Sequence, residues 1–258
     1  MIVPEAAPFE GHVWITGASS GIGRELARRV ARTAAHVSVS ARSLDKLRSL
    51  ADECRNISAH PVDVADADAV RGVLEQIRSG HGDIDTAILN AGIWRLMDAV
   101  DLDADFARAA MLVNYLGVVN ALSVLIPAMR ARGRGHIVIV ASVAGYRGLP
   151  KSISYGPTKA ALINLAETLR CELEPLGIRV TLVNPGFVDT PMTQSNPFPM
   201  PGIVSADAAA ATILEGLRAR RYEIVFPTWF AAAMKILRIV PNGAYFWLVR
   251  TFLHKPSQ

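Results

Sequence analysis

From residue 12 to about residue 183 the chain alternates short runs rich in valine and isoleucine with longer segments of helical period, and few folds accept that rhythm. The runs fall at 12–16, 36–41, 57–62, 84–89, 136–141 and 178–183. Several are apolar throughout, as strands covered on both faces are. Helical segments fill the gaps at 21–33, 44–55, 66–79, 103–132 and 155–174, and Pro175 and Gly177 end the last of them. This alternation predicts a parallel sheet with helices on both sides, an α/β, Rossmann-like, doubly wound fold. No repeat or low-complexity linker interrupts the series, and 258 residues can close around one core, so a single domain over 1–258 is expected.

Composition narrows the function. Hydrophobic residues make up 51% and charged residues 19%, which supplies a large core and argues against disorder. The net charge of +4 is small and the arginines are scattered, so no nucleic-acid partner is expected. Cys54 and Cys171 are the only cysteines, without a CxxC pair or a histidine at ligand spacing. Neither a disulfide framework nor a zinc site is indicated, and a reducing compartment fits. The opening MIVPEAAPFEGH carries prolines and two glutamates where an export signal needs a basic end and an apolar run. A cytoplasmic location is expected, with membrane association through the tail as an addition to it.

Two clusters carry chemistry. The first run leads into Thr16-Gly17-Ala18-Ser19-Ser20-Gly21-Ile22-Gly23 and then into a helical pattern. Glycines there let the backbone turn sharply and approach a pyrophosphate, whose charge faces the helix N-terminus. The second cluster is Ser142, Tyr155 and Lys159, with Asn114 upstream. Free tyrosine, with a pKa near ~10, is a poor base at neutral pH and needs help to transfer protons. Lys159 lies four residues on, on the same helical face, and is expected to favour the tyrosinate and lower the pKa of Tyr155. Ser142, just past the fifth run, can donate to a substrate oxygen and accept from a tyrosine. Pro157 is tolerable in a first helical turn.

The GxxxGxG spacing, together with these residues, resembles the short-chain dehydrogenase/reductase family, whose nucleotide turn reads TGxxxGxG; the resemblance covers roughly 11–190. It implies an oxidoreductase that interconverts a carbonyl and an alcohol. In that scheme Tyr155 is the acid/base, Ser142 stabilises the reacting oxygen, Lys159 also binds the nicotinamide ribose, and Asn114 shapes a proton relay through water. It implies that Gly17, Ser19, Ser20, Gly21, Ile22 and Gly23 surround the pyrophosphate. Asp63 and Val64 would meet adenine, Asn90, Ala91 and Gly92 form the NAG motif, and Pro185, Gly186, Val188 and Thr190 lie toward the nicotinamide. Ala41 stands where NAD-binding members carry an acid, and Arg42 follows where NADP-preferring members often carry arginine, so NADP(H) is expected over NAD. No metal is required.

Four prolines between 190 and 202 make 190–204 a stiff loop, read as the substrate loop, before a helix at 205–220 and a strand at 222–226. Phe187, Met192, Phe198, Met200 and Trp94 suggest an apolar pocket for a hydrophobic ketone, aldehyde or secondary alcohol, lipid-like or steroid-like. A carrier-bound 3-oxoacyl chain uses the same constellation. A non-catalytic NADP-binding regulator would not need to keep serine, tyrosine and lysine together. The extension 227–258 is rich in apolar residues (Trp229, Phe230, Met234, Ile236, Leu237, Tyr245, Phe246, Trp247, Leu248) and carries Lys235, Arg238, Arg250 and Lys255. Two readings stand: a basic amphipathic lid that touches a membrane or gathers lipid substrates, or a segment that packs on the sheet or seals a homo-oligomer, dimer or tetramer. It contains no ~18-residue apolar run for a span.

Overall fold

The structure is a computed structural model, and it describes residues 9, 11–194, 196 and 198–252; Lys255 of the tail lies outside the described residues. Strand and helix alternate as β1 (His12–Thr16), α1 (Gly21–Val30), β2 (His36–Ser40), α2 (Leu44–Glu53), β3 (Ile57–Ala59) and α3 (Ala67–His81). The second half continues with β4 (Thr86–Leu89), α4 (Ala104–Met111), α5 (Gly117–Arg132), β5 (Gly135–Val140), α6 (Gly156–Leu173) and β6 (Ile178–Pro185). After these come a small pair, β7 (Val188–Asp189) and β8 (Val204–Ser205), then α7 (Ala206–Arg218), β9 (Glu223–Phe226), α8 (Thr228–Ile239) and α9 (Asn242–Phe252). The main sheet has seven parallel strands in the order β3-β2-β1-β4-β5-β6-β9, reversing beside β1 as a doubly wound fold does.

Alternation within each strand divides the core. Trp14 and Ala87 face the side covered by α3, α5 and α6, whereas Val13, Ile15 and Ile88 face α1, α2 and α7. Strands buried on both faces need no polar face, which is why β5 reads Ile137-Val138-Ile139-Val140 without a break. β3 is shorter than the expected 57–62, since only Val37, Ser38 and Val39 of β2 pair with it.

The helix expected over 103–132 is divided. A π-helical turn, Leu112–Leu116, separates α4 from α5 and turns Asn114 fully inward. One extra residue per turn shifts the helical face without erasing its period, so the sequence pattern hides it. By length and hydropathy the stretch Ala104–Arg132 could cross a membrane, yet α5 lays Val118, Ala121, Leu122, Leu125 and Met129 into the core beside α3 and β5.

One region departs from the apolar rule. His12 Nε2 meets Ser38 Oγ at 2.9 Å, Ser38 Oγ meets Ser58 Oγ at 3.2 Å, and Ser58 Oγ also meets the Nε2 atoms of His36 and His60, both at 2.8 Å. The His81 ring stacks on His36 with centroids 3.8 Å apart. Burial, reinforced by the neighbouring imidazoles, lowers the pKa of His36 from 6.5 to about 4 and also lowers His12 and His60. A histidine whose folded-state pKa is depressed stabilises the fold fully above its unfolded value and loses that contribution as pH falls. Urea unfolding midpoints should therefore drop as pH falls from 6.5 toward about 4, with a shallower slope in His36→Asn; identical slopes would refute this origin.

Candidate active site

The strand ends gather the residues that carry chemistry. Gly17 has φ +68°, and a Cβ there would lie 2.8 Å from Ala91 Cα; at Gly23 it would lie 2.4 Å from Gly17 O. Side chains at these two points would push the glycine turn away from the Asn90-Ala91 segment. Thr16, buried at the end of β1, accepts from the N–H groups of Asn90 and Ala91 through Oγ1 at 3.0 and 3.1 Å. Asn90 Nδ2 returns a bond to Thr16 O at 3.1 Å.

The first turn of α1 is open to an anion. Asp66, Asp103 and Ser205 cap α3, α4 and α7 with their side chains, whereas Ser20 makes no such bond and no acid stands in the first turn of α1. Its N–H groups therefore keep their donor capacity and partial positive charge. Ser19 and Ile22 flank this turn, and Thr190 crowds it from above: a Cβ on Gly21 would stand 2.9 Å from Thr190 Cγ2. Arg42 is exposed just past β2 and makes no ion pair or side-chain hydrogen bond among the described residues.

Tyr155 is the N-cap of α6 rather than its first residue, yet Lys159 N still donates to Tyr155 O at 3.1 Å, so the two side chains lie one turn apart. Lys159 is 3% exposed; its Nζ donates to Val140 O at 2.9 Å and stands 5.4 Å from the centroid of the Tyr155 ring. Asn114 spends its whole amide on position: Oδ1 accepts from Ile93 N at 2.7 Å, and Nδ2 donates to Ile93 O at 3.0 Å and to Thr158 Oγ1 at 3.1 Å. Thr158 Oγ1 in turn donates to Tyr155 O at 2.8 Å. A Cβ on Gly92 would lie 3.3 Å from Asn114 Oδ1 and 3.7 Å from Lys159 Nζ, which puts the end of β4, Asn114 and Lys159 in one group. Thr16 opens the glycine motif, but its bracing of Asn90 and Ala91 carries no sequence signal, and Thr158, the residue before Lys159, is marked by none either.

Ser142 opens a short 3₁₀ turn, Val143–Gly145; its Oγ accepts from Ala144 N at 3.2 Å and donates to Pro185 O at 3.3 Å. Ser142 also hydrogen-bonds Tyr155 and pulls its pKa down, but burial dominates and lifts it to about 12. The expected lowering of Tyr155 by Lys159 is thus reversed. Burial also lowers Lys159 to about 8, and its Nζ is directed to a main-chain carbonyl. Neutral phenol beside a weakly held ammonium proton is the resulting state.

Other expected contacts divide. Gly186 N donates to Phe226 O at 2.7 Å, and Val188 is buried in β7. Asp63 is exposed and its Oδ1 accepts from Ala65 N at 3.0 Å, whereas Val64 turns its side chain into the core against Gly117. Phe187 and Phe198 approach at 6.0 Å, and Phe230 of α8 joins Phe187 at 5.7 Å. Trp94 is half-buried after β4 and makes no ring contact with this trio.

The turn that follows Ser142 also holds the tail. Tyr146 Oη donates to Glu223 Oε1 at 2.5 Å, and Asn184 Nδ2 donates to the same oxygen at 2.9 Å. Lys235 of α8 pairs with Glu223, and burial raises the Glu223 carboxyl less than the bonds from Lys235, Tyr146 and Asn184 lower it. Arg147 donates to Arg238 O at 2.8 Å and to Asn242 Oδ1 at 2.7 Å, and Tyr245 Oη donates to Gly148 O.

An open parallel sheet in this order, with these residues gathered at the C-terminal ends of its strands, is a Rossmann-like single-domain arrangement. The short chain dehydrogenase family model matches residues 11–198, and the chain belongs to that family of oxidoreductases acting on CH–OH groups. An uncharacterized oxidoreductase of Myxococcus xanthus is 35% identical over 235 residues, covering 90% of this chain and 93% of that protein. A 3-oxoacyl-(acyl-carrier-protein) reductase of Thermotoga maritima is 36% identical over 194 residues, covering 73% of this chain and 79% of that protein. Among solved structures, a short chain dehydrogenase from Burkholderia cenocepacia in complex with NADP superposes with TM-score 0.82 at 27% identity, covering 96% of this chain and 99% of that one.

Proposed function

We propose that the chain is an NADP(H)-dependent reductase of hydrophobic carbonyl compounds, with Tyr155 as the proton donor. The observation that carries this reading is the Tyr155 phenol, bonded to Ser142 and kept protonated by burial, one helical turn from the Lys159 ammonium. A substrate oxygen placed between Ser142 Oγ and Tyr155 Oη would receive a hydrogen bond from each. Tyr155 gives its proton as negative charge grows on that oxygen, and Lys159 supplies a nearby positive charge. Asn114 acts as a positioning residue, tying Ile93 to the start of α6.

The glycine turn and the uncapped start of α1 fit a dinucleotide: Gly17 and Gly23 leave no space for a Cβ, and the free N–H groups suit a pyrophosphate. Gly17, Ser19, Ser20, Gly21, Ile22 and Gly23 would hold it, with Asn90, Ala91, Gly92, Lys159, Pro185, Gly186, Val188 and Thr190 toward the nicotinamide and Asp63 and the main chain of Val64 toward adenine. When bound, the nicotinamide supplies the hydride. Arg42, exposed and unpaired among the described residues, suits a 2′-phosphate. Arg42→Ala should raise KM for NADPH about 10- to 100-fold and leave KM for NADH nearly unchanged. Equal KM values for NADPH in both proteins would remove Arg42 from the site.

The Phe187, Phe198 and Phe230 rings favour an apolar substrate. The Thermotoga maritima relative favours a second reading, reduction of a carrier-bound 3-oxoacyl chain. Turnover of acyl-carrier substrates with none of free ketones would select it. Cys54 and Cys171 are both unpaired thiols, in keeping with a reducing, cytoplasmic setting. A homo-oligomer, dimer or tetramer, is part of the same reading.

A further inference from the structure

Helix α8 is apolar on two opposite sides. Ala231 and Met234, with Phe230 and Leu237, pack on the core. The other side carries Trp229 and Ile236, 57% and 61% exposed, and Ile239, 81% exposed. Residues 229, 232, 233, 236 and 239 repeat at three and four, so this second stripe is continuous. Helix α9 adds Phe246 and Trp247, 53% and 63% exposed, while Tyr245 is buried. Outward apolar side chains on two consecutive helices exceed what scattered surface residues require.

Charge selects the occupant. Residues 227–252 include no aspartate or glutamate, and they carry Lys235, Arg238 and Arg250. Lys235 is paired with Glu223 and Arg238 lies near Tyr146, whereas Arg250, one turn along α9 from Phe246 and Trp247, is exposed and makes no ion pair among the described residues. A two-fold contact between copies through this face would meet itself, bringing Arg250 toward its own kind with no acid from either tail between them. An anionic lipid surface presents the complementary charge, and tryptophan and phenylalanine beside arginine are the side chains such an interface holds. The face also continues into the substrate loop: Trp229 lies 3.0 Å from the Cβ position of Gly202, and Phe230 stacks toward Phe187.

We propose that α8 and α9 dock flat on an anionic lipid bilayer through Trp229, Ile236, Ile239, Phe246 and Trp247, and so present the substrate loop to apolar carbonyl compounds dissolved in it. The docking stands without the catalytic reading; the delivery of substrate rests on it. The test is sedimentation of the full chain with phosphatidylcholine vesicles containing or lacking phosphatidylglycerol, alongside Ile236→Ser/Ile239→Ser/Phe246→Ser and Arg250→Glu. The protein should sediment with the anionic vesicles and be released by salt, and each variant should bind about ten-fold less or weaker still, with unchanged thermal midpoint and mass in solution. The triple variant should keep turnover of a short water-soluble ketone and lose that of a long-chain ketone held in vesicles. Absence of sedimentation, or equal binding to vesicles without phosphatidylglycerol, would overturn the proposal. A triple variant that falls from oligomer to monomer with vesicle binding intact would make this face a subunit interface instead. Failure of catalysis alone, with docking present, would strike only the reading of Tyr155.

Discussion

Tyr155→Phe should lower turnover about 10²- to 10⁴-fold while NADPH affinity stays within about two-fold, since the change deletes one hydroxyl and leaves the ring and the glycine turn in place. Single-turnover rates and a fluorescence titration of NADPH would measure the two effects separately. Direction of reaction gives a second readout. With the phenol at about 12, the protonated form that reduction needs is fully populated near neutrality, so reduction should vary little with pH there. Oxidation needs the tyrosinate, whose fraction grows about ten-fold per pH unit below that value, so it should climb steadily into alkali. An oxidation rate that levels off near pH 7 would mean that the phenol titrates far below the position its burial sets.

Lys159→Met should abolish most turnover and yet make the protein more stable at pH 7. Burial lowers the lysine from 10.5 in the unfolded chain to about 8 in the folded one, so the unfolded state binds more protons between those values and stability rises with pH across that window. Below about 8 the full cost of the buried ammonium is present, about 3 kcal/mol from a shift of that size. Methionine removes this cost and forfeits the ammonium's bond to Val140 O, worth about 1.5 to 3 kcal/mol, for a net gain near ~1 kcal/mol. The thermal midpoint should rise by roughly 2 to 4 °C at pH 7, with the gap closing as pH nears 10. Calorimetry showing a less stable variant at pH 7 would mean that the ammonium helps to hold the fold. A residue whose removal strengthens the fold and stops the reaction is kept for its chemistry.

The sheet was legible because its strands are covered on both faces, so Ile137-Val138-Ile139-Val140 shows as an unbroken apolar run, and because turns and helix ends punctuate the intervals. Most of the proposed site residues stand where the sequence pattern puts strand ends and the start of α6. Three things were not legible. Whether Lys159 raises or lowers Tyr155 depends on burial and on where Nζ is directed, and spacing of four fixes neither. The π turn at Leu112–Leu116 leaves the apolar period nearly intact, so Asn114 could not be seen to point inward. Apolar residues line α8 on both sides, so periodicity could not say which stripe meets the core.

Glu223 accepts from Tyr146 and Asn184 and pairs with Lys235, while Arg147 and Gly148 grip α8 and α9 a residue or two further on. Clamped at several points, the C-terminal pair of helices is tied to the segment just beyond Ser142. A change in the tail that loosens this clamp is then felt at the serine as well as at the surface.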